Sequence, residues 1–189
     1  MEQLTEFRDY QHTLGSWSPD RVLAFEELNP ATGRDIWVLR LSDRKAQPFL
    51  HMPFNEAAPA FSPDGRWLAS RYDIYVQPYP GPGGKWQIST EGGTEPVWAR
   101  NGEIFYRQGN KMMAVETKTQ PSFSAGNPKV VFEGQYVPSL ATMPNYDVSR
   151  DGQRFLMVKA SEQEQAATQI NVVLNWFEEL KRRVPSGKK

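Results

Sequence analysis

Apolar residues recur along the chain in short runs, and turn-forming residues close each run. The stretch "FSPDGRWLA", residues 61–69, shows the pattern: an apolar end, a four-residue turn and a second apolar run. Pro63 sets φ at the second turn position, and Gly65 accepts the left-handed conformation that strains a residue with a Cβ. The pattern predicts a tight reversal between two short β-strands.

This pattern occurs four times. The copies "WSPDRVLAF", "FSPDGRWLA", "WARNGEIFY" and "VSRDGQRFLMV" begin at Trp17, Phe61, Trp98 and Val148, at intervals of 44, 37 and 50 residues. Repeats of this length with four short strands each are typical of β-propeller blades. A β-sandwich with similar hairpins is the alternative, but the return of one turn at blade spacing favours the propeller.

Further strands are predicted between the copies. They are "DIWVLRL", "DIYVQPY", "KMMAVE" and "INVVLNW", beginning at residues 35, 73, 111 and 170. The first has apolar residues on both faces, as expected of a sheet that lies between two others. The predicted fold class is therefore all-β: a β-propeller of about four four-stranded blades, forming a partial ring, with a short C-terminal helix.

The predicted boundaries follow the copies. Residues 1–12 form an N-terminal segment, the blades cover approximately 13–52, 53–91, 92–134 and 135–177, and residues 178–189 form the C-terminal helix and basic tail. The helix is predicted because Phe177, Leu180 and Val184 recur at helical spacing.

The second unit is unusually short. Residues 71 and 72 leave little room for a hairpin loop, and Arg71 and Tyr72 are poorly suited to a two-residue turn, which favours Asn or Gly.

Composition narrows the classes of function. Lys plus Arg and Asp plus Glu are equal at 22 each, so no overall charge favours nucleic acid or an acidic surface. The chain has no cysteine, which excludes disulfides, thiolate metal ligands and a cysteine nucleophile. No stretch has the pattern of a signal peptide or the length of a membrane span. We expect a soluble chain without a targeting signal of its own.

The residues with catalytic or metal-binding potential do not form a recognisable constellation. His12 and His51 are the only histidines, and no GxSxG motif holds a serine for a catalytic triad. Both are predicted to be solvent-facing loop residues. Asp20, Asp64 and Asp151 are whole blades apart, and they are predicted to accept hydrogen bonds from turn amides rather than to bind a metal.

Three other features have structural explanations. The loop "PYPGPGGKW", residues 78–86, lacks the order of a phosphate-binding loop, although an exposed Tyr79 acting as a protein-binding knob is an alternative. The tail "KRRVPSGKK" is predicted to be a solvated helix end. Five aromatic residues are predicted to form core between blades: Trp17, Phe61, Trp67, Trp86 and Trp98. The sequence thus predicts no catalytic, cofactor-binding or metal-binding residue, and it does not identify binding residues.

The repeated turn resembles that of the TolB-type, WD-repeat-like propellers of bacteria, in which an aromatic residue precedes SPDG and an apolar strand. The stretches "IYVQPYPGPGGKWQIST", "GGTEPVWARNG", "YDVSRDGQRFLMV" and "NVVLNWFEELKRRVP" resemble one subgroup of that family. In this subgroup the propeller ends a long protein, often behind a serine/threonine kinase or winged-helix domain. The resemblance covers residues 15–185. It implies the C-terminal part of a larger bacterial protein, although the family's propellers usually have six or more blades and no kinase motif is present here.

Two classes of function follow as hypotheses. The first is a non-catalytic protein-binding or sensory scaffold module, a kinase-associated sensor domain in a kinase-linked parent, with a protein or peptide partner and no cofactor. The second is the propeller accessory portion of a prolyl oligopeptidase-like hydrolase whose catalytic domain is absent. A remnant without selected function is a third alternative. Neither nucleic-acid binding nor membrane insertion is expected. Exposed blade faces would allow self-association. A membrane-anchored parent would place the chain outside the cytoplasm.

Overall fold

The computed structural model describes residues 10–51, 55–71, 73–139 and 143–160. The chain divides into two compact units, Met1–Lys159 and Ala160–Lys189. All the described strands lie in the first unit. The predicted helix at 178–189 and the predicted strand from residue 170 lie outside the described residues.

The first two sheets are four-stranded antiparallel meanders. The first contains β1 (Gln11–Trp17), β2 (Val22–Asn29), β3 (Gly33–Arg40) and β4 (Lys45–Leu50) in chain order. The second contains β5 (Ala60–Phe61), β6 (Trp67–Ser70), β7 (Tyr75–Pro78) and β8 (Trp86–Gln87).

The third and fourth sheets vary this plan. The third contains β9 (Thr94–Trp98), β10 (Glu103–Gln108) and β11 (Lys111–Lys118), and two short strands, β12 (Ser124–Ala125) and β13 (Lys129–Glu133), both pair with β11. Within the described residues the fourth sheet contains β14 (Tyr146–Val148) and β15 (Phe155–Met157).

The four copies of the sequence motif adopt one turn conformation. The fifth residue of each copy has a positive φ: 58° at Arg21, 70° at Gly65, 91° at Gly102 and 73° at Gly152. In each copy its amide also donates to the carbonyl of the second residue, over 2.9–3.2 Å. Each turn joins the first strand of a sheet to the second. The predicted reversals are therefore confirmed.

The short second unit makes its hairpin with a longer connection than a two-residue turn. Ser70 pairs with Tyr75, so the connection spans residues 71–74. Asp73 has a φ of 90°, and Ile74 is fully buried. The two strands of this hairpin, β6 and β7, have four residues each, compared with eight each in β2 and β3 of the first sheet.

Consecutive sheets pack face to face through apolar side chains. Three seams result, and we name each by the sheets it joins. The first–second seam includes Ala24, Ile36, Val38, Phe61 and Leu68; the second–third seam includes Trp67, Val76, Trp98, Ile104 and Val115; the third–fourth seam includes Phe105, Met112, Tyr146, Phe155 and Met157. The first strands also lie side by side, since β5 contacts both β1 and β9. The described sheets therefore pack as consecutive blades of a β-propeller.

The first sheet is buried on both faces, as predicted. Val22, Ala24, Ile36 and Val38 face the second sheet. Leu23, Phe25 and Leu39 form a separate buried cluster with Trp37 and Leu41 on the opposite face.

Candidate functional site

A cavity of about 340 Å³ lies where the first strands of the four sheets come together. We call it the inner-strand pocket. Its lining comes from the residues just before each sequence copy and, in the first three, from the residue that begins it: residues 14–17, 58–61 and 96–98 together with Met143, Pro144, Tyr146 and Asp147. Because the repeat places equivalent residues around one point, the pocket is a consequence of the propeller arrangement.

Large apolar side chains are exposed in this pocket. Leu14 is 60% exposed, Trp17 53% and Met143 43%. Such exposure is costly unless another molecule covers the side chains, and concentrated apolar exposure marks binding surfaces. The prediction that Trp17 belongs to the core between blades is therefore wrong.

The other predicted core aromatics divide into two groups. Phe61, Trp67 and Trp98 are buried, as predicted. Trp86 is 36% exposed and packs edge-on against Trp67, with ring centroids 5.2 Å apart.

One wall of the pocket is fixed by a close approach of β1 and β5. A Cβ on Gly15 would lie 2.4 Å from Pro59 Cγ and 2.8 Å from the carbonyl oxygen of Ala24. Only glycine fits this position without displacing backbone. The Ser16 hydroxyl accepts a 2.8 Å hydrogen bond from the amide of Phe61 and ties the two strands together.

A second part of the lining, which contains Met143, is held near a buried ion pair. Glu95 accepts hydrogen bonds from the amides of Ser139, at 3.1 Å, and Asn145, at 2.8 Å. These two residues flank the segment that carries Met143 to the pocket. Arg107 lies 3.7 Å from the Glu95 carboxylate, and both side chains are almost completely buried.

Arg107 also holds the chain just before this part of the lining. Its guanidinium donates to the carbonyls of Tyr136, at 3.1 Å, and Val137, at 2.9 Å. Neither Glu95 nor Arg107 was predicted from the sequence. A local signal existed only for Arg107, a charged residue that follows the apolar run Ile104–Tyr106 in β10. Counted from Trp98, the first residue of the copy, it stands at the tenth position of the repeat.

The charge in the inner-strand pocket is negative. Asp147 is exposed and is the only charged residue in its described lining. The Tyr146 hydroxyl donates a 2.8 Å hydrogen bond to the carbonyl of Glu95, and burial, followed by the charge of Glu95, raises its pKa well above the ordinary value. Tyr146 therefore stays neutral at physiological pH.

Neither histidine lines the inner-strand pocket, and each contacts a different carboxylate. His12 lies in β1, with Nε2 3.0 Å from Glu27, so the prediction of a loop position is wrong for it. His51 lies in a loop with an exposed side chain, as predicted, and its Nδ1 is 2.8 Å from Asp35. Both imidazoles thus face a carboxylate, and Thr32 donates to the same Asp35 oxygen rather than to His51.

The predicted role of the turn aspartates is confirmed at two positions. Asp64 accepts hydrogen bonds from Ser62 Oγ, at 2.6 Å, and from the amide of Arg66, at 3.2 Å. Although partial burial acts to raise its pKa, these bonds lower it on balance.

Asp151 has the same contacts with Ser149 Oγ and the amide of Gln153. The hydrogen bond from Ser149 is the main cause that lowers its pKa. Within the described ranges, no group of three His, Cys, Asp or Glu side chains is placed to hold a metal ion.

Tyr79 is not an exposed knob. Its ring packs against Phe49 and Phe61, with centroids 5.6 and 5.1 Å away, in the first–second seam.

In the part of the chain that the structure describes, no helix has the length and apolar character needed to cross a membrane.

The fold is similar to that of several solved β-propellers. The putative TolB from Agrobacterium tumefaciens matches with a TM-score of 0.58 and 16% identity, over 82% of this chain and 59% of that one. NirN, a dihydro-heme d1 dehydrogenase in complex with DHE, matches with a TM-score of 0.52 and 15% identity, over 79% and 33%. The Cps50 (Swd1) β-propeller domain from Myceliophteria thermophila matches with a TM-score of 0.51 and 12% identity, over 80% and 50%.

These similarities support the TolB-like propeller fold that the repeated turn suggested. The chain spans less than two thirds of the length of each of these structures. No family model matches the sequence, and no curated protein matches it.

Proposed function

We propose that this chain is a non-catalytic protein-binding module whose inner-strand pocket takes an apolar side chain from an extended peptide segment of a protein partner. The observation that carries the proposal is the exposure of Leu14, Trp17 and Met143 around one cavity. Its volume of about 340 Å³ falls within the range of ligand pockets. Aromatic and methionine side chains are also enriched at the centres of protein interfaces.

The charge of the pocket specifies the partner further. Asp147 adds a carboxylate beside apolar walls, and the described lining contains no cation. A lysine or arginine next to the apolar anchor would complement this charge, and complementary charge contributes to specificity and association rate. We therefore propose a segment in which an aliphatic or aromatic residue neighbours a basic one.

The proposal is tested by selecting peptides from a displayed random library on the immobilised chain. We expect the selected peptides to share an apolar anchor beside a basic residue, and Trp17→Asp to weaken their binding at least tenfold in fluorescence anisotropy. Val130→Asp is the matched control, because Val130 is 52% exposed on β13, away from the pocket lining. Equal binding by both variants would contradict the assignment of the pocket.

The absence of catalysis is part of the proposal. It is supported by the hydrogen bonds of the two histidines among the described residues: each imidazole contacts a carboxylate, and the nearby Thr32 hydroxyl donates to Asp35 rather than to His51, so neither histidine is shown activating a hydroxyl nucleophile. We expect no turnover of generic peptide and ester substrates by the purified chain. Turnover that a serine-directed inhibitor abolishes would instead favour the accessory portion of a hydrolase.

The resemblance of the second half of the sequence supports a parent protein of a particular kind. We propose that the module belongs to a larger bacterial protein with a kinase or winged-helix domain, where peptide binding serves a sensory or scaffolding role. The reading frame upstream of this segment in genomic DNA tests this: further blades or a kinase support it, and a hydrolase domain contradicts it.

A further inference from the structure

A second cavity, of about 390 Å³, lies between the segment before β5 and the start of β7. Its lining includes two carboxylates, Glu56 and Asp73, one aromatic ring, Tyr75, and two cations, Arg71 and Lys85. None of these residues lines the inner-strand pocket.

The chain's own Lys85 occupies this cavity as a bound ammonium group. Its Nζ lies 4.3 Å from the centroid of the Tyr75 ring and 3.5 Å from Glu56 Oε1. An aromatic face together with a carboxylate is a suitable environment for an alkylammonium ion, because the ring quadrupole and the negative charge both attract it. Lys85 comes from the Gly- and Pro-rich loop before β8, and its side chain is 43% exposed, so it can leave the cavity by rotation of its own bonds.

Lys85 does not fully satisfy the site. Glu56 is only 5% exposed, and its second oxygen, Oε2, is buried without a hydrogen-bond partner among the described residues. A buried acceptor without a partner is costly, so an additional N–H donor would be bound favourably. Burial raises the pKa of Glu56 and the charge of Lys85 acts against that rise, which agrees with a carboxylate that a cation compensates only in part.

The charge balance decides between a cation and an anion as ligand. With Lys85 in place the lining has two carboxylates and two cations; without it the net charge is negative. The Tyr75 face and Glu56 also already engage the ammonium group, so neither is placed to accept an anion.

From this geometry we propose that the cavity formed by Glu56, Asp73 and Tyr75 is a binding site for a lysine side chain of a protein or peptide partner, and that Lys85 is an internal occupant which competes for it. This site is independent of the inner-strand pocket and has a different chemistry. Its affinity for an external lysine is set by the stability of the contact that Lys85 makes with Glu56 and Tyr75.

The test removes the internal occupant and supplies a substitute. Lys85→Met keeps an apolar stem beside Tyr75 but removes the ammonium group, and Lys85→Gln is a second variant. Nα-acetyl-lysine methylamide is titrated into each ¹⁵N-labelled protein while the amide signals of Glu56 and Tyr75 are followed by NMR. We expect half-saturation at least tenfold lower in concentration for both variants than for the unmodified chain, and no comparable shift with the Nε-acetylated probe.

Two controls make the result specific. Lys129→Met breaks an exposed ion pair with Glu116, 3.0 Å long, and should create no amine site, because Glu116 is 72% exposed and the cavity that it lines has no aromatic residue in its described lining. Adding Glu56→Gln to Lys85→Met should abolish binding without loss of the circular dichroism of the fold. Saturation by the acetylated probe, equal binding by Lys129→Met, or no shift in either Lys85 variant would overturn the proposal.

Discussion

In the first–second and third–fourth seams, the equivalent backbone amide donates to a carboxylate that comes from a different strand of the repeat. In the first–second seam the amide of Ala58 donates a 2.6 Å hydrogen bond to Glu26, which lies on β2. In the third–fourth seam the amide of Asn145 donates a 2.8 Å bond to Glu95, which lies on β9. Ala58 and Asn145 both stand three residues before the first residue of their motif copies.

The arginine that accompanies each carboxylate also differs. Arg34, 3.2 Å from Glu26, has a side chain 26% exposed, whereas Arg107, 3.7 Å from Glu95, is 6% exposed. The tenth position of the copy is therefore the carboxylate Glu26 in the first sheet and the cation Arg107 in the third.

The two tenth positions are equivalent in register. Glu26 lies opposite Thr13, and Arg107 lies opposite Thr94, each threonine being four residues before the aromatic that begins the copy. In these two seams the acceptor for the equivalent amide therefore comes from different places in the repeat: the tenth position in the first sheet and β9 in the third. Once the carboxylate is supplied from β9, the tenth position is free to carry its counter-ion.

The largest expected effect is the loss of the buried arginine. Arg107→Met should lower the free energy of unfolding by about 3–5 kcal/mol, because it leaves Glu95 as a buried charge without its counter-ion and removes the guanidinium donors from the carbonyls of Tyr136 and Val137. Urea denaturation followed by tryptophan fluorescence measures this change.

Arg34→Met is the matched control in the other seam. The Arg34 guanidinium is partly exposed, but Glu26 is only 1% exposed and loses its counter-ion, so the expected loss is smaller than that of Arg107→Met, about 1–3 kcal/mol. Equal losses in the two variants would mean that burial of the arginine does not distinguish the seams.

The second prediction concerns the acceptor itself. Glu26→Met removes the acceptor of the Ala58 amide and should cost about 1–3 kcal/mol. Glu26→Gln keeps a carbonyl oxygen as the acceptor, so it should be destabilised much less than Glu26→Met. Thermal unfolding of the two variants separates the hydrogen bond from the charge, and an equal fall in Tm would show that the charge alone matters.

The repeat and its turn were accessible from the sequence because local chemistry dictates them. Proline and glycine restrict or permit particular φ values, and alternation of apolar residues identifies strands without knowledge of the partner sheet. The turn of the third copy shows the strength of this signal, since Gly102 keeps the conformation although Ser and Pro are replaced by Ala99 and Arg100.

The pocket and the seam contacts were not accessible in the same way. Trp17 and Trp98 begin equivalent copies, yet one is 53% exposed and the other 8%. Their environments differ because of what the neighbouring sheets bring close, which is a property of long-range packing. The pairing of Glu95 with amides 44 and 50 residues later likewise has no local pattern.

The third prediction compares the turns of the same two sheets. In the first turn the Ser18 hydroxyl accepts the amide of Val22 at 3.1 Å, and in the third turn Asn101 Oδ1 accepts the amide of Glu103 at 3.1 Å. Ser18→Ala should cost about 1 kcal/mol, and Asn101→Ala a similar or smaller amount because its turn is exposed.

Ala99→Ser tests whether the two acceptors are alternatives. Since Asn101 already binds the Glu103 amide, the added hydroxyl should change the free energy of unfolding by less than about 0.5 kcal/mol. A gain as large as the loss in Ser18→Ala would show that the third turn lacks an acceptor and that the turns are not equivalent.

The last comparison concerns the fifth position of the same two turns, where the first sheet has Arg21 and the third has Gly102. Both have positive φ, 58° and 91°. A residue with a Cβ is strained there by about 1–2 kcal/mol, and the extra freedom of glycine in the unfolded chain offsets about 0.4–1 kcal/mol of that. Arg21→Gly should therefore stabilise the protein by about 0.5–1 kcal/mol, and Gly102→Ala should destabilise it by a similar amount, since a Cβ on Gly102 would meet nothing closer than the Thr117 carbonyl oxygen at 3.5 Å. Calorimetry that finds opposite shifts in Tm supports one shared turn conformation in the two sheets. Shifts of the same sign would show that the backbone of the first turn is held by other contacts, and that the resemblance between these turns ends at their sequence.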